Sequence, residues 1–440
     1  MGTARIQFDR WDDRYAARME NIRSSAVRDL FAAASRPDVI SFAGGMPAVS
    51  EVPLSEVAHA TRDAIKHRGT EALQYGSSEG RPELRLVVSE LMLESGVRVP
   101  PEEIVITAGA QQALDLLAKI MIDPGDVIVA EGPTYVGALQ AFSAYRPQIV
   151  CVPMDDDGMV VEELESTLDS LKKRPKFIYT IPNFQNPAGV TMTPARRRRL
   201  LEIANERDIP VIEDDPYGRL RFEGGHVKPL RALDEEVIYV GTFSKVFAPG
   251  LRLGWVTAPR PILNKLLLAK QAADLCGSAF AQIVAEEYFR HTRWRRTLKQ
   301  LTRTYAERRD AMLAALDEHF PAEARWTRPQ GGFFVWAELP RFVDCKAMLA
   351  EAVEKGVAYV PGDGFFPDGT GRNCMRLNFS FPTPEEISDG IERLAGVLED
   401  RLELYRAFIR AGAISPEGGA THAESTGASR EDADAREVSA

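Results

Sequence analysis

Between about Leu54 and Pro259 the chain alternates helical stretches with short runs in which apolar residues follow one another without a polar partner between them. The runs are Glu103-Ile104-Val105-Ile106-Thr107, Val127-Ile128-Val129, Ile149-Val150-Cys151-Val152, Phe177-Ile178-Tyr179-Thr180-Ile181, Val211-Ile212-Glu213, Val237-Ile238-Tyr239-Val240 and Leu253-Gly254-Trp255-Val256. A strand wetted on one face alternates polar and apolar side chains, whereas a strand covered on both faces has no reason to. Such runs with helices between them predict an α/β architecture: a mainly parallel, seven-stranded sheet sandwiched by helices. Ligands of such a sheet sit at the carboxyl ends of its strands.

From about Pro261 the texture changes to a charged helical region through Tyr288, Trp294 and Tyr305, then to strand-rich segments around Gly331–Trp336 and Met375–Asn378. This reads as a second, smaller α+β domain. The divisions expected are an N-terminal arm over 1–53, a large domain over 54–290, a small domain over 291–408 and a tail over 409–440. From about Gly412 that tail holds Gly, Ala, Ser, Glu and Asp with almost no large apolar residue, a composition that predicts disorder.

Composition narrows the partners. With 440 residues, 45% of them hydrophobic, the chain can bury a large core, and its net charge of -10 argues against nucleic acid and anionic membrane surfaces. Small anions are the expected ligands. The run Arg196-Arg197-Arg198-Arg199 follows the helix start Thr193-Pro194, so most of it is expected on the solvated face of an amphipathic helix. Cys151, Cys276, Cys345 and Cys374 lie far apart without a CxxC spacing and read as reduced thiols of a cytoplasmic protein. The six histidines show no metal spacing, so no metal is expected, and neither an export signal nor a membrane span is apparent.

The chemistry concentrates after the run Val237–Val240, in Gly241-Thr242-Phe243-Ser244-Lys245, with Arg252 close behind. A lysine there can form a Schiff base, and Thr242, Ser244 and Arg252 supply the donors and charge a phosphate needs, a combination that suggests pyridoxal phosphate. Taken alone, Lys245 reads as an ordinary solvated loop lysine, by far the commoner case, and the context of the other motifs argues otherwise. Gly109-Ala110-Gln111 opens a helix directly after a strand, where free N–H groups and the dipole attract an anion. Tyr135 ends the next strand segment and could stack on a flat ring or simply pack its loop. Asn186 lies in a Pro-rich turn at another strand end. In Glu213-Asp214-Asp215 an acid follows an apolar strand and needs a partner; a protonated pyridine nitrogen is one, and Asp214 receives that role.

These stretches, together with Ser41–Pro47, Leu73-Gln74-Tyr75, Gln111–Asp115, Pro182–Gly189, Glu213–Tyr217 and Arg376-Leu377-Asn378, resemble fold-type I pyridoxal phosphate-dependent aminotransferases of class I/II over about Ile22 to Leu398. Within that group the chain resembles the α-aminoadipate and kynurenine aminotransferase II branch. The resemblance implies a ping-pong transaminase in which Lys245 holds the cofactor and shuttles a proton, Asp214 pairs with the ring nitrogen, Asn186 and Tyr217 bond the ring's phenolic oxygen, and Tyr135 stacks on the ring. It also implies a phosphate held by Gly109, Ala110, Gln111, Thr242, Ser244 and Arg252, with Tyr75 reaching in from the other subunit of a homodimer. Arg376 clamps the substrate α-carboxylate. Relatives commonly carry serine where this chain has Ala110 and Thr242, which implies at most a modest loss of cofactor affinity.

For the substrate, the resemblance points to an N-terminal substrate-capping helix in which Arg28 and Ser25 read the distal carboxylate of glutamate, 2-oxoglutarate or 2-aminoadipate, with Gly44 in the same pocket. If that helix swings away, apolar and aromatic amino acids are accepted as well, since a transaminase must accommodate donor and acceptor in turn. A branched-chain, aromatic or valine–pyruvate transaminase, or a β-elimination or decarboxylation on the same fold, uses the same core residues. An aminotransferase-like DNA-binding regulator is disfavoured, because only about 20 residues precede the resembling region.

Overall fold

A computed structural model of the chain describes residues 9–22 and 36–411. Ser25 and Arg28 therefore lie outside the described residues, as does the stretch 412–440. The expected tail begins within the helix Pro384–Arg410. Two compact units are present, Met1–Val397 and Leu398–Ala440. The described part of the second is the end of that helix with Ala411; everything that follows concerns the first.

All seven apolar runs are strands of one sheet, which has eight members. Across it lie Ile104–Thr107, Gly254–Thr257, Ile238–Thr242, Val211–Asp214, Ile178–Thr180, Val127–Gly132, Gln148–Asp155 and Gly158–Met159. The five from Ile238–Thr242 to Gln148–Asp155 run parallel, and Gly254–Thr257 is antiparallel to both neighbours. The unexpected eighth strand is a two-residue edge that folds back on Met154 and Asp155 through a turn where Gly158 has φ +96, too short to leave an apolar run.

Alternation sorts the side chains of each strand onto two buried faces. Ile104, Ile106 and Trp255 pack with Phe243, Phe247 and the helices Pro82–Glu94 and Ala279–His291. Val105 and Val256 point the other way, into the helices Gly109–Met121 and Arg260–Asp274. Each fully buried aliphatic or aromatic side chain contributes roughly 1.5–3 kcal/mol, which is why both faces remain apolar. One member of the arginine run is an exception to its expected exposure: Arg197 is wholly buried, donating to the carbonyls of Met192, Lys228 and Pro182 and to Asn183 Oδ1. It braces the turn that carries Asn186.

A second, antiparallel sheet orders Arg325–Trp326, Phe334–Glu338, Cys374–Asn378 and Val360–Pro361, with Trp336 opposite Arg376. The entering segment Ile40–Ser41 pairs in parallel with Val357–Ala358, and Phe42 bonds Ala358 and Asn378 through its backbone. Residues 43–46 are thereby delivered between the two sheets. Among the described residues no helix is long and apolar enough to cross a membrane.

Candidate active site

The carboxyl ends of five strands and two strands of the small sheet converge on a cavity of about 560 Å3. It is lined by Ala110, Gln111, Tyr135, Asn186, Asp214, Tyr217, Thr242, Ser244, Lys245, Arg252 and Arg376 among the residues expected, and by Gly45, Met46, Val136, Ile181 and Phe334 among those not. Gly109, which opens the helix before Ala110, sits against Arg252 at one end. Two expected residues are elsewhere in the single chain. Gly44 is buried beside the Met46 side chain, with Gly45 forming the wall in its place. Tyr75 is 79% exposed and does not line the cavity.

Strand alternation separates the three consecutive acids. Glu213 turns away and accepts the N–H groups of Leu230 and Arg231, both at 2.8 Å. Asp215 likewise turns away, accepting from Asn183, Gly218 and Tyr239. Asp214 alone faces the cavity. Its Oδ2 accepts from the Tyr179 hydroxyl at 2.7 Å, and its Oδ1 is buried without a hydrogen-bond partner among the described residues. Burial pushes this carboxyl up to about 7, with the nearby Asp215 and Glu131 charges adding to the shift and the Tyr179 bond opposing it. A buried carboxylate oxygen left alone is expensive. A cationic N–H arriving from the cavity removes that cost.

Lys245 follows the strand Ile238–Thr242, and its Nζ donates to the Gly45 carbonyl at 2.7 Å. Burial lowers this amine to about 8, helped by the positive charges of Arg376 and Arg252. Roughly a tenth of it is therefore uncharged at pH 7, far more than for an ordinary lysine, and able to act as a nucleophile. Arg376 is 3% exposed; its Nη1 donates to Asn186 Oδ1 at 3.0 Å and its Nη2 to the Ala43 carbonyl at 2.9 Å, leaving Nε without a partner among the described residues. The guanidinium lies 4.1 Å from the Phe334 ring centroid and 5.1 Å from that of Phe365, so its plane is fixed before any carboxylate arrives. Tyr217 packs edge-on against Phe333 and Phe334.

At the opposite end of the cavity the helix Gly109–Met121 starts at Ala108, whose methyl cannot cap it. Its N-terminal N–H groups are left for an outside acceptor. Gly109 has φ +77, and a Cβ there would lie 2.5 Å from Arg252 Nη2; a Cβ on Gly254 would lie 2.7–2.8 Å from the Gly109–Ala110 peptide. Only glycines allow this approach of backbone and guanidinium. Ser244 adds a hydroxyl. The Thr242 hydroxyl is engaged locally, with Ser244 and the Leu253 carbonyl, and so braces the turn.

The cavity thus has an anion-binding end, a buried carboxylate oxygen lacking a donor, a lysine whose amine burial has lowered to about 8, and a clamped arginine. Pyridoxal phosphate matches the first three: a phosphate for the helix start, a pyridine nitrogen for Asp214 and an aldehyde for Lys245. Tyr179 and Phe365 were not foreseen. A lone tyrosine inside the run Phe177–Ile181 was the available signal, because a buried hydroxyl requires a partner.

The chain belongs to the class I and II aminotransferase family, whose model matches residues 37–394. It is a pyridoxal phosphate-dependent transaminase with the fold-type I architecture. It is similar to the aromatic-amino-acid aminotransferase 1 of Thermococcus litoralis, 46% identical over 388 residues, covering 87% of this chain and 93% of that one. It is also similar to the 2-aminoadipate transaminase of Thermus thermophilus, 41% identical over 400 residues, covering 90% and 98%. Among solved structures, the α-aminoadipate aminotransferase of Thermus thermophilus complexed with N-(5'-phosphopyridoxyl)-L-leucine superposes with a TM-score of 0.84 at 39% identity, covering 90% of this chain and 99% of that one.

Proposed function

We propose that this transaminase has broad specificity, taking apolar and aromatic L-amino acids as well as glutamate or 2-aminoadipate, with 2-oxoglutarate as an acceptor. The observation that carries this reading is the cavity wall of Met46, Val136, Ile181 and Phe334, which offers an apolar side chain a place without help from any charge. Among the described residues Lys245, Arg252 and Arg376 are the cations lining the cavity, and all three have other work. A distal carboxylate therefore needs a cation from elsewhere, and Arg28 with Ser25 would supply it.

Bound pyridoxal phosphate supplies a ring that accepts the electron pair left at the substrate's α-carbon. The rest falls to the chain. Asp214 would hold its negative charge at the ring nitrogen, kept in place by Tyr179. Arg376 would grip the α-carboxylate in a plane already set by Asn186, Ala43, Phe334 and Phe365. Lys245 would accept the α-proton at Nζ and return it, a task suited to an amine near pH 8. Tyr135, Asn186 and Tyr217 would enclose the ring and hydrogen-bond its oxygen, and the helix start at Gly109–Gln111, with Ser244 and Arg252, would hold the phosphate.

Arg28→Ala tests the substrate assignment in single-turnover reactions with one amino acid at a time. Losing a charged hydrogen-bonded partner lowers the rate constant for glutamate and 2-aminoadipate by about 10–100-fold. Leucine and phenylalanine should change less than about twofold. Equal losses for all four substrates would sink the role of Arg28.

We further infer a homodimer in which Tyr75 enters the neighbouring subunit's cavity. Supporting this, Leu73 and Tyr75 are each 79% exposed and Leu275 56%, and the Ser78 hydroxyl donates to the Leu275 carbonyl, tying the two segments that carry these exposed side chains. Sedimentation should return a dimer mass, and Tyr75→Phe should weaken cofactor retention. A fully active monomer would overturn the inference.

A further inference from the structure

Lys270 is a completely buried lysine with no part in the chemistry above. Its Nζ contacts both oxygens of Asp274, at 2.8 and 2.9 Å, one turn further along the helix Arg260–Asp274. Burying the lysine of such a pair costs desolvation energy, and with Asp274 only partly buried the pair brings little stability over an apolar one. Its presence calls for another explanation. Asp274 Oδ2 accepts from Gln112 Nε2 at 2.7 Å, and Gln112 Oε1 accepts from the Ala108 N–H at 2.7 Å.

The direction of this chain is imposed at its charged end. A carboxylate can only accept, so it admits only the NH2 end of the Gln112 amide, and the carbonyl end must then face Ala108. Ala108 is the residue at which the helix Gly109–Met121 begins, and its own carbonyl lies 3.5 Å from Arg252 Nη2. The peptide groups flanking the anion-binding turn are thus held from two sides. Gln112 takes the N–H that faces outward, which leaves the N–H groups at the helix start directed at the cavity. This matters because the turn has no hydroxyl at Ala110, and Thr242 is engaged locally.

We propose that Lys270, Asp274 and Gln112 form a positioning relay that orients the Ala108–Gln111 turn and so sets the affinity for the cofactor's phosphate, without acting on its ring. This rests on the reading that the turn holds the phosphate. The test uses apo-protein titrated with pyridoxal phosphate and with pyridoxal, which lacks the phosphate, following absorbance and fluorescence. Gln112→Leu removes the acceptor for Ala108 while leaving the buried ion pair intact. A second variant, Lys270→Met with Asp274→Leu, removes the pair as a unit and leaves the amide unanchored. Circular dichroism confirms that each is folded.

In both variants pyridoxal phosphate should bind about tenfold more weakly, the size of a lost helix-start hydrogen bond, while pyridoxal stays within about twofold. Equal weakening of both ligands, or no weakening of either, overturns the relay. Arg252→Leu separates the two levels of inference. If it lowers the preference for the phosphorylated ligand and Gln112→Leu does not, the relay alone fails; if it too leaves that preference unchanged, the phosphate reading fails and the relay with it.

Discussion

Replacing Lys245 by alanine should reduce transamination by at least about 10⁴-fold, the upper range for loss of a positioned acid–base group. Nothing else in the cavity can substitute. Asp214 is confined by Tyr179, burial lowers the Arg376 guanidinium only to about 10, and the Tyr135 and Tyr217 hydroxyls are pushed above their ordinary range by burial. Because the defect would be the absence of one amine from an otherwise intact cavity, added small primary amines should restore part of the rate, in proportion to their uncharged fraction. In wild type, the rate should rise with pH toward about 8 as Nζ loses its proton. A Lys245→Ala variant that keeps more than about one per cent of the rate without added amine would remove Lys245 from the proton transfer.

The large sheet was legible because burial on both faces suppresses alternation, and all seven runs from Ile104 to Val256 became strands. The edge strand Gly158–Met159 was not, since two residues pairing at a turn leave no pattern. The cavity's lysine, acid and arginine were legible from their positions at strand ends. Their partners were not: Tyr179 meets Asp214 and Asn186 meets Arg376 across 35 and 190 residues, contacts decided by strand register and sheet packing. The local pattern also misplaced Arg197. A helical arginine run suggests a solvated face, but three acceptors of the neighbouring turn and the Lys228 carbonyl lie within reach of one buried guanidinium. Gly44 and Gly45 are equivalent in sequence, and only the path of the entering segment puts Gly45 on the cavity wall.

Asp214→Asn should lower the turnover rate by about 10²–10³-fold while leaving the fold and cavity shape intact. The amide is isosteric and its oxygen can still accept from Tyr179, but it carries no charge to hold a proton on the ring nitrogen. A cofactor analogue methylated on that nitrogen, which is permanently cationic, should bypass the need and act better in the variant than the ordinary cofactor does. Stability of the apo-protein supplies an independent check. Asp214 sits at about 7 in the fold against 3.8 unfolded, a raised acid, so its contribution to stability is fully present below 3.8 and is lost as the pH rises through about 7. Across that window wild type should lose up to ~4 kcal/mol that the Asn variant does not. Glu213, also raised to about 7, titrates in both proteins and cancels in the difference. The variant's melting temperature should therefore overtake that of wild type between pH 4 and pH 8. If the two melting curves stay parallel across this range and turnover is unaffected, the unpartnered oxygen of Asp214 is neither a buried charge nor the site of the ring nitrogen.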